Sequence, residues 1–199
     1  MWCFPGTWNR YNSIMSASSL PVIHTPRLTL RPIAVSDVPA VDVMIAASRE
    51  SFARWFGWAR GSTRESVREH TQQLVDAMAL GTARHYVVLT GTEGLIARVG
   101  LMEIDPVNSS AELGYMLRTE YEGQGVMTEA LRGLLSHALG PEGLHRVTAY
   151  VDTENVASQR VLERLGFQRE GTVRHAACHS ERGWRDHHLY GLLAGELRR

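Results

Sequence analysis

Two glycines stand directly before an amphipathic helix in the stretch YEGQGVMTEALRGLLSHALG, residues 121–140. Gly123 and Gly125 let another molecule approach the bare backbone. The first N–H groups of a helix have no partner inside it, and the helix dipole adds a partial positive charge there. Such a loop suits an anion, typically a phosphate, with the Thr128 hydroxyl as a further donor. The loop alone leaves open a plain tight turn that binds nothing.

The composition excludes several other kinds of chemistry. Positive and negative side chains number 21 each, and every positive one is arginine. Without lysine there is neither a GxxxxGK[ST] phosphate loop nor a Schiff-base enzyme. The balanced charge predicts no nucleic-acid partner and no membrane surface as partner. Cys3 and Cys178 are too few for a disulfide framework, which indicates a reducing, cytoplasmic location.

The chain length predicts one domain. Its 199 residues are enough for a single substantial core. No apolar run approaches the roughly 18 residues that a membrane span needs. Proline and polar residues interrupt the first twenty positions, so we expect residues 1–20 to be a disordered extension and residues 21–199 to form the domain.

Hydrophobic periodicity predicts a mixed α/β domain. Residues 26–33 alternate as a strand, Asp37 caps a helix over 38–47, and Thr63 opens another. Three strands then form a meander from His85 to Leu117. The glycine loop and a helix over Thr128–Leu139 follow. The chain closes with strand 145–152, a helix opened by Asn155, and two further strands.

Several ordered motifs resemble one family. They are AELGYML at 111–117, YEGQGVMTEAL at 121–131 and HRVTAYVDTENVASQRVLERLGFQREGTVR at 145–174. Together with TPRLTLRP at 25–32 and WRD at 184–186, they are similar to the GNAT superfamily of acyl-CoA-dependent N-acyltransferases, in its RimJ/RimL-type branch. The likeness runs from about Thr25 to about Ala194. Glu122 and Met127 depart from the first and last positions of the family's loop consensus, Q/R-x-x-G-x-G/A.

The resemblance implies a fold and a co-substrate. The fold is an α/β (α+β mixed sheet) GNAT fold: about seven mostly antiparallel strands, flanked by helices and splayed between strands 4 and 5, AELGYML and HRVTAYVD. The co-substrate is acetyl-CoA or another acyl-CoA, with its pyrophosphate on the glycine loop, and no metal is expected. The cofactor-binding candidates are Met116, Leu117, Arg118, Gly123, Gln124, Gly125, Val126, Met127, Thr128, Asn155 and Arg160, with Arg132 as a further arginine near the phosphates.

In this family the acceptor amine attacks the thioester directly, so the enzyme supplies proton transfer and orientation. Strand alternation places Glu112 on one face with Gly114 and Met116, and Glu112 is the candidate base. A solvated glutamate in an ion pair is the open alternative. Ser158 is the candidate acid. Asn155 suits a helix cap to the N–H of residue 158, and both roles are compatible.

The acceptor side is less defined by sequence. Trp55, Phe56 and Glu103 are candidates for substrate contact, although the aromatic pair equally suits the core. The resemblance implies a primary amine as acceptor, including a protein N-terminal α-amine. A small-molecule amine, a succinyl donor and a non-catalytic acyl-CoA-binding module stay open. A homodimer is an expectation from the family.

Residues 175–188 gather four histidines and a cysteine: His175, Cys178, His179, His187 and His188. They lack the recurring CxxC or HxxxH spacing of a metal site. Adjacent histidines on a strand also point to opposite faces. The sequence therefore predicts ordinary loop and strand histidines here.

Overall fold

The computed structural model describes residues 20–91 and 94–198. The predicted N-terminal extension lies outside these residues, except for Leu20, which is buried. The strands are β1 Ile23–His24, β2 Leu28–Pro32, β3 Arg84–Thr90, β4 Gly94–Asp105, β5 Ser110–Leu117, β6 Arg146–Asp152, β7 Gln168–His179 and β8 Gly183–Leu193. The helices are α1 Val38–Ala47, α2 Arg49–Ala53, α3 Arg64–Ala79, α4 Val126–Leu139 and α5 Val156–Leu165.

All eight strands form one sheet in the order β1-β2-β3-β4-β5-β6-β8-β7. Neighbouring strands are antiparallel except β5 and β6, which are parallel. The predicted mixed, mostly antiparallel sheet is therefore confirmed. The sheet has eight strands, whereas about seven were expected. The additional strand is the two-residue β1, which pairs with β2.

Helices cover both faces of the sheet. On one face, Arg98 of β4 contacts His70 of α3 at 3.3 Å. On the other, Tyr115 of β5 contacts Ser158 of α5, and α4 packs on β1, β2 and β4. The predicted inner stripe of α4 is confirmed as buried: Ala130, Leu131, Leu134, Leu135 and Ala138. Across residues 20–91 and 94–198, every helix is too short or too polar to span a bilayer.

Two local predictions at helix starts are confirmed. The Thr63 hydroxyl accepts from the Ser66 N–H at 3.2 Å at the start of α3. The Asn155 side chain likewise accepts from the Ser158 N–H at 3.1 Å at the start of α5. Both bonds satisfy a backbone donor that the helix leaves unpaired.

Two other helix starts differ from prediction. Helix α4 begins at Val126, two residues before Thr128, because Gly125 takes the capping position in a left-handed conformation. Asp37 does precede α1, but its side chain makes no cap bond there. Its carboxylate instead accepts two bonds from Arg31, at 2.7 and 2.5 Å, and one from the Ala34 N–H at 2.9 Å.

The ion pair of Asp37 and Arg31 ties β2 to the segment that leads into α1. Burial alone would raise the pKa of the Asp37 carboxyl, but the bonds from Arg31 and Ala34 outweigh it and hold that pKa below its ordinary value. The stabilisation from a lowered carboxyl pKa is present above the unfolded-state pKa. It is lost as the pH falls through the folded-state pKa.

Asp37→Asn is therefore expected to lower the free energy of unfolding by about 2 kcal/mol at pH 7, the scale of a hydrogen bond to a charged group. The difference from wild type should shrink at about pH 3, where the carboxyl is increasingly protonated in both states. Urea unfolding at the two pH values measures it. Asp42→Asn on α1 is the control, with a change of less than about 0.5 kcal/mol. An equal loss at both pH values would show that the charge of Asp37 is unimportant.

Candidate active site

The sheet opens between β5 and β6. The two strands pair at only three positions, Ser110 to Glu112 with Arg146 to Thr148. Beyond them β5 continues to Leu117 and β6 to Asp152, and within the described residues neither pairs with the other there. One backbone edge of β5 therefore faces a cleft. The predicted splay between AELGYML and HRVTAYVD is at this position.

The glycine loop lies at the far end of β5, immediately before α4. Gly123 and Gly125 have φ values of 74° and 73°, the left-handed region that favours glycine. A Cβ at Gly123 would meet no atom within 4 Å, and one at Gly125 would meet only Arg27 Nη2, at 3.8 Å. Space is thus open beside both glycines, at the N-terminus of a 14-residue helix. This geometry suits an anion.

The neighbouring loop candidates contribute mainly backbone. The side chains of Val126 and Met127 are buried in the core, so only their main chain can face the loop. Gln124 turns its side-chain amide to the Glu120 carbonyl, at 2.7 Å. Thr128, only 8 % exposed, borders a groove of about 900 Å³ between residues 21–27 and the outer side of α4.

Arg27 and Glu129 join the start of the domain to the loop, and sequence analysis did not identify either as a site residue. The Glu129 carboxylate accepts from the Thr25 hydroxyl at 2.6 Å, the Arg27 N–H at 2.9 Å and Arg27 Nε at 2.6 Å. Arg27 Nη1 donates to the Gln124 carbonyl at 3.2 Å. This places a guanidinium beside Gly125. Arg27 does belong to the TPRLTLRP motif, but its partner is 102 positions away.

The predicted arginines differ in their surroundings. Arg118 pairs with Glu120 at 2.6 Å, and its buried Nε has no hydrogen-bond partner among the described residues. Arg132 Nε donates to the Arg198 carbonyl at 3.1 Å. Arg160 is exposed on α5. Arg118, whose backbone N–H continues the sheet by donating to the Ile96 carbonyl at 2.9 Å, is the one beside the cleft end of β5.

Glu112 sits at the last paired position before the cleft, opposite Met102 of β4. A bulge follows Met102, and Glu103 within it has a φ of 49°. Burial raises the pKa of the Glu112 carboxyl, and the nearby Glu103 charge raises it further. No ion pair to either carboxylate occurs within the described residues. The ion pair of the alternative interpretation is therefore absent among these residues, and the role of Glu112 as the base stays a prediction.

Ser158 borders the same cleft from the opposite face, on the first turn of α5. Its N–H is held by Asn155, and its Oγ lies 2.5 Å from the Tyr115 hydroxyl. The alternation that places Glu112 on one face of β5 places Tyr115 on the other, and sequence analysis gave Tyr115 no role. The alternation of β5 shows which face of the sheet Tyr115 lies on. Its contact with Ser158, 43 positions later, has no signal in the sequence.

Helix α2 and the residues directly after it contact the turn between β7 and β8. His179 Nε2 contacts the Ala53 carbonyl at 2.8 Å, and Ser180 Oγ donates to the Gly57 carbonyl at 3.0 Å. The guanidinium groups of Arg54 and Arg182 lie 4.8 and 5.7 Å from the centre of the Trp55 ring. Trp55 and Phe56 are half-buried, between the buried Phe52 and the exposed Trp58. Of these four aromatic residues, Phe52 is thus part of the core and Trp58 lies on the surface.

The histidines of residues 175–188 are engaged individually. His175 stacks on Trp184, and His188 Nδ1 lies 2.9 Å from the Thr172 hydroxyl. In the part of the chain that the structure describes, no three His, Cys, Asp or Glu side chains are grouped to hold a metal ion.

Comparison with known proteins assigns the family. The model of the acetyltransferase (GNAT) domain matches residues 27–168, most of the chain. The chain therefore belongs to the GNAT acetyltransferase family and is an N-acetyltransferase. The resemblance inferred from the motifs is confirmed.

Three similar proteins illustrate the relationship. Bacillus subtilis "Probable N-acetyltransferase YjcK" is 29% identical over 169 residues, 82% of this chain and 92% of that protein. The Escherichia coli ribosomal-protein-serine acetyltransferase is 27% identical over 150 residues, 75% of this chain and 83% of that protein. A structure of RimL, a ribosomal L7/L12 α-N-protein acetyltransferase in complex with coenzyme A, has a TM-score of 0.81 at 24% identity. It covers 87% of this chain and 98% of that one.

The proximity of two carboxylates gives a direct test of the site's electrostatics. Glu103→Gln removes a negative charge beside Glu112 and should lower the pKa of Glu112, because like charges disfavour ionisation. NMR titration of the side-chain carboxyl carbons measures it. Glu120→Gln, whose carboxylate pairs with Arg118, is the control and should leave the Glu112 titration unchanged. An unchanged pKa in Glu103→Gln would mean that the two carboxylates do not interact.

Proposed function

We propose that this protein binds acetyl-CoA in the cleft between β5 and β6 and transfers the acetyl group to the α-amine of a protein N-terminus. The observation that carries the proposal is the early end of pairing between β5 and β6, directly ahead of a glycine loop at the start of α4. An unpaired strand edge and an anion site at its end match a ligand with amides in one part and phosphates in another.

The free edge of β5, around Met116 to Arg118, is suited to the amides of the pantetheine arm, which would add to the sheet as a strand does. The backbone of Gly123 to Thr128 is suited to the pyrophosphate. Two guanidinium groups stand beside this region: Arg118, whose Nε has no partner among the described residues, and Arg27, fixed by Glu129. Arginine pairs well with phosphate oxygens. Asn155 caps α5 and Arg160 lies on it, on the other side of the cleft.

The acid–base roles follow the positions of Glu112 and Ser158. Glu112 accepts a proton from the acceptor ammonium, directly or through a water. The free amine forms a bond to the thioester carbonyl carbon, and the bond from that carbon to sulfur then breaks. The nitrogen, which is positively charged after the attack, releases its second proton to solvent and becomes the amide nitrogen. Ser158 Oγ donates a hydrogen bond to the leaving thiolate, which solvent then protonates. Within the part of the chain that the structure describes, Glu112 pairs with no cation, and its raised pKa makes it a better proton acceptor than an ordinary glutamate.

An α-amine is the acceptor that this site suits best. Its pKa of about 8 lies within reach of a modestly basic carboxylate, whereas a lysine ε-amine near 10.4 requires more assistance. The names of the E. coli relative and of the RimL neighbour both refer to ribosomal proteins. We therefore propose a ribosomal-protein N-terminus as acceptor and the cytoplasm as location. A homodimer stays a prediction.

Binding of the donor can be tested at one glycine. Calorimetric titration with CoA, acetyl-CoA and succinyl-CoA should give micromolar affinity for wild type. It should give at least about hundredfold weaker affinity for Gly125→Glu, whose carboxylate would occupy the anion site at an energetic cost of roughly 3 kcal/mol. Gly143→Glu is the control. Gly143 has a φ of 75° and open space around it, so it carries the same backbone strain outside the cleft.

Three outcomes separate the possibilities. Equal binding by Gly125→Glu and wild type would show that the phosphates lie elsewhere. No binding of any of the three ligands would overturn the acyl-CoA proposal itself. Preference for succinyl-CoA over acetyl-CoA would overturn the choice of acetyl group.

The acceptor class can be tested through the base. Glu112→Gln should reduce kcat/KM about a hundredfold for a lysine ε-amine peptide and less than about tenfold for an α-amine peptide at pH 7.5. Raising the pH to 9 should restore most of the α-amine rate, because that amine is then deprotonated without assistance. Glu65→Gln on the exposed side of α3 is the control. Equal losses for both peptides, unaffected by pH, would exclude Glu112 as the base.

A further inference from the structure

Tyr115 and Ser158 form a contact that crosses the cleft. Beyond the third pair, β5 and β6 share no backbone hydrogen bonds in the described sheet. The Tyr115 hydroxyl, on β5, reaches α5 on the far side and lies 2.5 Å from Ser158 Oγ and 3.3 Å from the Ser158 carbonyl. It is therefore a direct link between the strand on one side of the cleft and the helix on the other.

The distances indicate which atom donates. Tyr115 has one hydroxyl hydrogen and two acceptors within reach, and the shorter contact is to Ser158 Oγ. A phenol is a stronger donor and a weaker acceptor than an alkyl hydroxyl. The Ser158 carbonyl also has the regular helical N–H four residues on as a donor. Donation from Tyr115 to Ser158 Oγ is therefore the favoured arrangement.

The direction of this bond determines what Ser158 can do. If Ser158 Oγ accepts from Tyr115, its own hydrogen is free to point elsewhere, including into the cleft. If Ser158 instead donated to Tyr115, that hydrogen would be used. We infer that Tyr115 is a positioning residue that keeps the Ser158 hydroxyl free to donate to the leaving sulfur. This inference rests on the proposed function.

Burial makes Tyr115 suitable for this role. It raises the pKa of the Tyr115 phenol well above its ordinary value, and the bond with Ser158 opposes this only in part. The phenol thus stays protonated throughout the working pH range, as a permanent hydrogen-bond donor. Loss of its proton would leave a buried phenolate, which is unfavourable.

Kinetics test the inference with three variants and one control. Tyr115→Phe should lower kcat about tenfold, while KM for acetyl-CoA and the affinity for CoA stay within about twofold of wild type. In the Ser158→Ala background, Tyr115→Phe should lower kcat no further, because it acts through Ser158. Tyr190→Phe is the control. It removes another tyrosine hydroxyl from the same face of the sheet, bonded to Glu163 at 3.2 Å, and should leave kcat unchanged.

A merely structural role for Tyr115 gives a different result. The losses of Tyr115→Phe and Ser158→Ala would then add in the double variant. KM and CoA affinity would change along with kcat, and the melting temperature would fall. Either additivity or a change confined to KM would overturn the inference.

NMR tests the bond independently of activity. The Tyr115 hydroxyl proton, identified by its disappearance in Tyr115→Phe, should be protected from exchange and should shift in Ser158→Ala. A resonance that does not respond to Ser158→Ala, or the absence of a protected proton, would overturn the inference even in an active enzyme. If calorimetry shows no CoA binding, the proposed function fails separately, and this spectrum still decides the geometry.

Discussion

The early end of pairing between β5 and β6 is the constraint on which the rest of the site depends. Three paired positions join the two strands, whereas β6 pairs with β8 at seven. Beyond the three positions, β5 stays paired with β4, and β6 stays paired with β8. Helix α5 fills the space beneath through the buried Leu162 and Leu165. Because the sheet stays anchored on both sides, an unpaired strand edge persists here without collapse of the cleft.

The parallel arrangement of β5 and β6 also explains where the glycine loop lies. Parallel neighbours need a crossover, and here α4 supplies it. The helix must begin where β5 ends, so its N-terminus opens onto the end of the split. Ligands commonly bind at such positions, where strand directions or connections change. The left-handed Gly125 then lets α4 begin without a side chain in the space beside its free N–H groups. The cleft and the candidate anion site therefore both result from the connection between β5 and β6 through α4.

The features predicted correctly from sequence are local ones. Alternation in β5, the caps of Thr63 and Asn155, and the buried stripe of α4 each depend on residues within a few positions of one another. The missed features join distant segments: Glu129 to Arg27, and Tyr115 to Ser158. The error at Asp37 is of a different kind, because its partner is only six positions away. The Asp37 side chain fits a helix cap by sequence but pairs with Arg31 of β2 instead.

The two sides of the cleft are held by different interactions. The side with the glycine loop depends on backbone: a strand edge, two left-handed glycines and a helix terminus. The side with Trp55 depends on side chains, above all Arg182, which donates to the Arg54 carbonyl, pairs with Glu154 and packs on Trp55. Backbone geometry tolerates many substitutions at neighbouring positions, whereas the contacts of a guanidinium depend on the identity of each partner. In the function proposed above, sequence change on the Trp55 side would alter which amine is accepted while the donor site stays intact, so the fold alone specifies the donor more closely than the acceptor.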